Sequence, residues 1–194
     1  MSVQGTGAEA AVRHAVVGAG ANVLICFPEH RVHLEGGGHP SQNDLWALLR
    51  TAAGNTSLAR EAKAGEPLDK LVGDWLADGV QGSRKPQRLA ALQSILGISE
   101  KDVSGIRYQL LHRAASALLE ARRFHAESAV LIVQSFDRKA DEESWQYFRK
   151  FCDLLGTTPS EGALQQTTVR TSVPLYIGWV TSVPATEHLL GAAI

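Results

Sequence analysis

Sulfur is scarce in this chain. Of its 194 residues, two are cysteine and one is methionine. Cys26 and Cys152 stand far apart with no C-x-x-C pair, which excludes a disulfide framework and a thiol redox motif. Both read as small buried hydrophobes, the usage a reduced cytoplasm tolerates. Long apolar runs are missing as well. Ala129 to Val133 is typical of the length they reach, far below the roughly 20 residues of a membrane helix. The N-terminus lacks a basic stretch followed by an apolar core, so no secretory signal is read there, and a cytoplasmic protein without a membrane partner is expected. Surplus charge is absent too: a net charge of −1 gives no bulk attraction to nucleic acid.

The common catalytic signatures are also lacking. No G-x-x-x-x-G-K-[ST] or G-x-G-x-x-G pattern, no G-x-S-x-G and no H-E-x-x-H occurs, which removes the usual nucleotide folds, serine hydrolases and zincins. Cys26, His30, His33 and His39 crowd one span, but their spacing matches no zinc-finger pattern.

What is present is an ordinary globular composition, 44% hydrophobic and 20% charged, of a length that suits one domain over residues 1–194 with a core from about 22 to 182. Ala8 to Val17, closed by Gly18 and Gly20, reads as a helix. Asn22 to Phe27 and Arg31 to Leu34 read as short strands, and Gly36 to Gly38 as a loop. Leu45 to Ala53 reads as a helix before Gly54-Asn55, with Ser41-x-x-Asp44 as its capping box. Pro67 to Ala77, Gln87 to Leu96, Ile106 to Phe124 and Trp145 to Leu155 are further expected helices, and Ala129 to Gln134 and Val173 to Val180 further strands. Helices interleaved with strands predict an α/β sandwich around a mixed sheet.

The chemistry concentrates in Thr56-Ser57-Leu58-Ala59-Arg60-Glu61-Ala62-Lys63. Alternation along a strand puts Glu61 and Lys63 on one face and Leu58, Arg60 and Ala62 on the other. A carboxylate beside an amine can hold a hard cation and position a water, and Asp44 upstream would complete the set. The same two residues also suit an exposed edge strand. Charge is unevenly spread: Glu61 to Asp78 is acidic, while Arg84 to Arg123 is rich in cations, among them Arg84, Lys85, Arg88, Arg107 and Arg113. On a helical wheel at about 100° per residue, Gln109, His112, Arg113, Ser116, Glu120 and Arg123 share one narrow arc of the longest helix. That stripe faces either water or a polar site.

In this order, Ser41-Gln42-Asn43-Asp44, Glu61-Ala62-Lys63, Arg107 to Arg113 and Leu175-Tyr176-Ile177-Gly178-Trp179-Val180 resemble the PD-(D/E)xK nuclease superfamily, the restriction-endonuclease-like fold, and within it an uncharacterised bacterial branch. The resemblance runs from about Gly36 to Val180. It implies hydrolysis of nucleic-acid phosphodiesters, DNA before RNA, with Mg²⁺ or Mn²⁺ held by Asp44, Glu61 and the Ala62 carbonyl. Lys63 would orient the attacking water, and Gln109 would be an auxiliary residue of the site. Arg84, Lys85, Arg88, Arg107, His112 and Arg113 would face the nucleic acid. A homo-oligomer or a partner subunit fits the superfamily, as do restriction and phage defence. The sequence departs from its pattern in having no Pro-Asp pair and in an Asp44 that opens an expected helix, which leaves Glu35 and Glu66 as substitute ligands. The alternative is a noncatalytic module of the same fold that binds nucleic acid or a partner protein.

Overall fold

The computed structural model describes residues 21–137 and 139–182; the helix expected at Ala8 to Val17 lies outside them. Six strands form one mixed sheet: β1 (Asn22–Val32), β2 (Ser41–Thr51), β3 (Gly54–Lys63), β4 (Ser128–Ser135), β5 (Leu164–Gln166) and β6 (Leu175–Thr181), in spatial order β1-β2-β3-β4-β6-β5. The first three make an antiparallel meander; β4 lies parallel to both β3 and β6. Between β3 and β4 the chain runs through α1 (Val72–Ala77), α2 (Lys85–Ile95) and α3 (Tyr108–Arg123), and α4 (Glu142–Leu154) follows β4. A parallel neighbour requires such a crossover, and helices supply it.

The hydrophobic core divides by sheet face. The larger cluster joins Trp46, Leu48, Ala59, Leu131, Val133 and Trp179 of the sheet to residues from all four helices. The smaller one, on the other face, contains Ala47, Leu49, Leu58, Val130 and Ile132. Strands central to the sheet are thus apolar on both sides, as their place between neighbours requires. A buried relay ties β2, β3 and α3 together: the Trp46 indole donates to Ser57 Oγ (3.0 Å), whose hydroxyl donates to the Ala117 carbonyl (2.8 Å).

Several expectations are corrected. Leu45 to Ala53 is not a helix: Leu45-Trp46-Ala47-Leu48-Leu49 is a doubly covered strand, and a short apolar run has no period to separate the two states. The Ser41-x-x-Asp44 capping box disappears with it, because both residues lie in β2. The two short N-terminal strands are one, β1, which passes through Glu29 at φ 52°. Pro67 does not open a helix; α1 begins only at Val72. β5, three residues long, gave no signal in the sequence. The remaining helices and strands occur within a few residues of their expected places.

Candidate active site at the C-terminal end of β3

Pairing of β2 with β3 stops at Leu45 opposite Arg60, whereas β3 continues beside β4 to Lys63 opposite Ser135. At this parting the Ala62 N–H donates to Asp44 Oδ2 (2.6 Å) instead of to a strand carbonyl. Asp44 therefore sits next to the end of β3, not at the head of a helix. The crevice beyond the carboxyl ends of parallel strands is the usual place for a ligand in α/β sheets.

Glu61 and Lys63 share one face, as the strand period predicts, but they are not edge charges: only 3% and 4% of each is exposed. Lys63 Nζ lies 3.0 Å from Glu61 Oε1, which also accepts from the Gln109 amide. Arg113 Nε donates to Glu61 Oε2 (2.5 Å) and its Nη1 to Ser41 Oγ (3.1 Å). The Gln109 carbonyl oxygen in turn accepts from the Asp69 N–H (3.2 Å), which fixes the amide's orientation. The Glu61 carboxyl is pushed above its ordinary range: burial is the main cause and the nearby Asp44 charge adds to it, against the opposing pull of Arg113 and Lys63.

The polar stripe of α3 thus faces the sheet from Gln109 to Glu120, and only its last member, Arg123, is exposed to water. Below Gln109 and Arg113, the His112 Nδ1 pairs with Ser41 Oγ (2.8 Å), Ser116 Oγ donates to Asn43 Oδ1 (2.9 Å), and Glu120 meets His30 Nε2 at 3.1 Å. Burial, followed by the charges of Arg113 and Arg88, holds the His112 imidazole well below the usual histidine range, so it is neutral. Ser41, Asn43 and His30 were missed as partners in the sequence. A polar residue at each apolar-neighboured position of the α3 stripe was the signal that facing strands must offer hydrogen-bond groups.

Of the other expected residues, Glu66 accepts from the Ala64 N–H (2.8 Å) and lies 4.0 Å from Lys63 Nζ, half exposed. Arg107 is drawn away from the site, paired with Glu143 (2.7 Å) and stacked over Tyr147 with its guanidinium carbon 3.9 Å from the ring centroid. Arg84, Lys85, Arg88 and His112 gather instead around an open cavity of about 370 Å³, lined also by Gly36 to Pro40, Trp75 and Tyr108.

The described residues contain no group of three or more His, Cys, Asp or Glu side chains suited to a metal ion. The donor set at β3 is two carboxylates, Asp44 and Glu61. It still suits a hard divalent cation, which takes one or two carboxylates and fills its remaining positions with water and substrate oxygens. The unfavourable effect of Asp44 on ionised Glu61 is what such a cation would relieve.

A family model described as a domain of unknown function, DUF6946, matches residues 5–184. No curated protein and no solved structure matches the chain.

Proposed function

The chain belongs to the DUF6946 family, whose description leaves the activity open, and from the site we propose a restriction-endonuclease-like, metal-dependent nuclease that hydrolyses nucleic-acid phosphodiesters. One observation carries the reading. Residues 44, 61, 63 and 109, separated in sequence, meet at the point where β2 leaves β3, through Asp44 on the Ala62 amide and through Lys63 and Gln109 on one oxygen of Glu61. The sheet is compatible with it: a mixed sheet with helices is what the resemblance implies.

Asp44, Glu61 and the Ala62 carbonyl would hold Mg²⁺, or Mn²⁺ in its place. Bound there, the ion would polarise the phosphoryl oxygen and lower the pKa of a water. Lys63 supplies a fixed positive charge beside Glu61, which would offset the negative charge that accumulates on the phosphoryl oxygens during attack. Water oxygen would form the new bond to phosphorus and give up one proton to solvent, the ester P–O bond would break, and the departing oxygen would take up a proton from solvent. Gln109 and Arg113 keep the Glu61 carboxylate in one orientation from two sides. A fixed first set of groups held by a second is how a site of this kind keeps its geometry.

The noncatalytic reading has its own observation: both oxygens of Glu61 already have cationic partners, Lys63 and Arg113. Incubation of labelled duplex DNA, single-stranded DNA and RNA with Mg²⁺, Mn²⁺ or chelator decides between them. Metal-dependent products are expected from the parent chain, with loss on the order of a hundredfold or more in Glu61→Gln and Lys63→Ala. A folded parent that cuts none of the three substrates would leave the noncatalytic module.

A further inference from the structure

Beside the β3 site, the cavity under the Gly36–Gly38 loop has an unusual charge balance. Arg88 is buried, 6% exposed, yet each of its three nitrogens donates to a neutral acceptor: Nε to Tyr108 Oη (2.6 Å), Nη2 to the His39 carbonyl (2.6 Å) and Nη1 to the Gly37 carbonyl. Lys85 Nζ donates to the Trp75 carbonyl (2.5 Å) and stands 5.2 Å from the centre of its ring. Arg84 reaches across the loop, where a Cβ on Gly37 would lie 3.3 Å from its Nη1. None of the three cations lies within ion-pair distance of a carboxylate among the described residues, although Lys85 is near enough to Asp78 to favour its ionised form. A buried guanidinium without a counter-ion is costly unless a negative group arrives to complete it.

The rest of the cavity narrows the chemistry of that group. The Trp75 and Tyr108 rings are stacked 4.0 Å apart and form a rigid wall. His112 is neutral, with Nδ1 committed to Ser41, so it adds no further charge. The volume, about 370 Å³, is at the small end of ligand sites, roughly 300–1,000 Å³. Three cations crowded into a pocket of that size exceed what a single-charged internal phosphodiester needs; a phosphate monoester, at about −1.5 to −2, balances them better. The pocket is coupled to the β3 site through the chain His112, Ser41, Arg113, Glu61.

We propose that this cavity is a subsite for the terminal phosphate of a nucleic-acid strand, which would make the neighbouring centre one that works near phosphorylated ends. The identity of the strand rests on the nuclease reading; the capture of a phosphate monoester does not. Either a 5′- or a 3′-phosphate would supply the chemistry.

The test is binding in the presence of chelator, where no cutting occurs, followed through tryptophan fluorescence. The probes are one short single-stranded oligonucleotide with a 5′-phosphate, a 3′-phosphate or hydroxyls at both ends. One phosphorylated form is expected to bind about tenfold more tightly than the hydroxyl form, inorganic phosphate is expected to compete, and Arg84→Ala/Lys85→Ala is expected to remove the preference. Arg84 makes no side-chain hydrogen bond among the described residues, so Arg84→Ala alone, expected to give part of the loss, keeps the measurement on a folded chain. Equal binding of all three probes, or a preference that survives the double variant, overturns the proposal. A phosphate preference in a chain that cuts nothing with metal would instead retain the subsite and remove the nuclease reading.

Discussion

Arg113 and Glu61 form a close ion pair, 2.5 Å, with both side chains buried, and that burial decides what a substitution does. Removing one partner of a buried pair leaves the other charge desolvated, at a cost of roughly 3–5 kcal/mol. Arg113→Met is therefore expected to lower stability by about that amount, and Glu61→Gln/Arg113→Met by much less than the two single variants summed. Urea titration of the three chains measures the difference; strict additivity would show that Arg113 is held by something other than Glu61. His112 sets a second, pH-dependent term. Its folded pKa is depressed by burial and by Arg113 and Arg88, whereas an unfolded histidine takes its proton near pH 6.5. The stability it contributes is present above that value and is lost as pH falls toward the folded pKa, by at most about 1.4 kcal/mol per pH unit. Urea midpoints are expected to decline between about pH 7 and 5, and the decline to flatten in His112→Gln. An identical slope in that variant would assign the loss to other groups.

At the scale of elements, the Gly36–Gly38 loop is tied to α2 more closely than any side chain would allow. Gly36 has φ 84°, and a Cβ there would stand 2.4 Å from the Arg88 Cα. Gly36→Ala is expected to push the loop off α2, to cost more than about 1 kcal/mol, and to loosen the Gly37 and His39 carbonyls from Arg88. Thermal melting and end-phosphate binding should change together; a stable variant with normal binding would mean that the loop does not need this contact. The same element shows where the sequence could be read and where it could not. Glycines at Gly36 to Gly38 marked a loop at once, because their conformational freedom is local. The Glu61 and Lys63 face followed from the period of a strand, and the α3 stripe from the period of a helix. β2 did not follow, because its apolar run owes its form to β1, β3 and the two core clusters, none of which leaves a mark within the run itself. With β2 misread, Asp44 stood at the head of a helix, and its hydrogen bond to the Ala62 amide, a contact across strands, could not be anticipated.

On the scale of the whole molecule, a net charge of −1 and a concentrated group of cations at one cavity bear on how nucleic acid would be held under the proposed function. A protein that coats a backbone draws on many scattered cations and loses affinity steeply with salt. Here Arg107 is engaged with Glu143 and Arg113 with Glu61, so two of the six residues expected at the nucleic acid already have carboxylate partners. What remains is Arg84, Lys85 and Arg88 around the cavity, with neutral His112 at its wall. Each phosphate neutralised on a single strand contributes about −0.7 to the slope of log K against log salt. A cavity that takes one terminal phosphate and at most its neighbours should give a shallow slope, no steeper than about −2 for a short single strand. Titrations of the 5′- and 3′-phosphorylated oligonucleotides at several salt concentrations measure it. A slope several times steeper would mean that cations outside the cavity carry the binding, and the sheet's other face or the far end of α3, with Arg122 and Arg123, would then be where to look. A shallow slope that flattens further in Arg84→Ala/Lys85→Ala would tie the affinity to this one pocket. It would also show how a chain with almost no net charge could hold a highly charged strand by its end, as the proposed subsite requires.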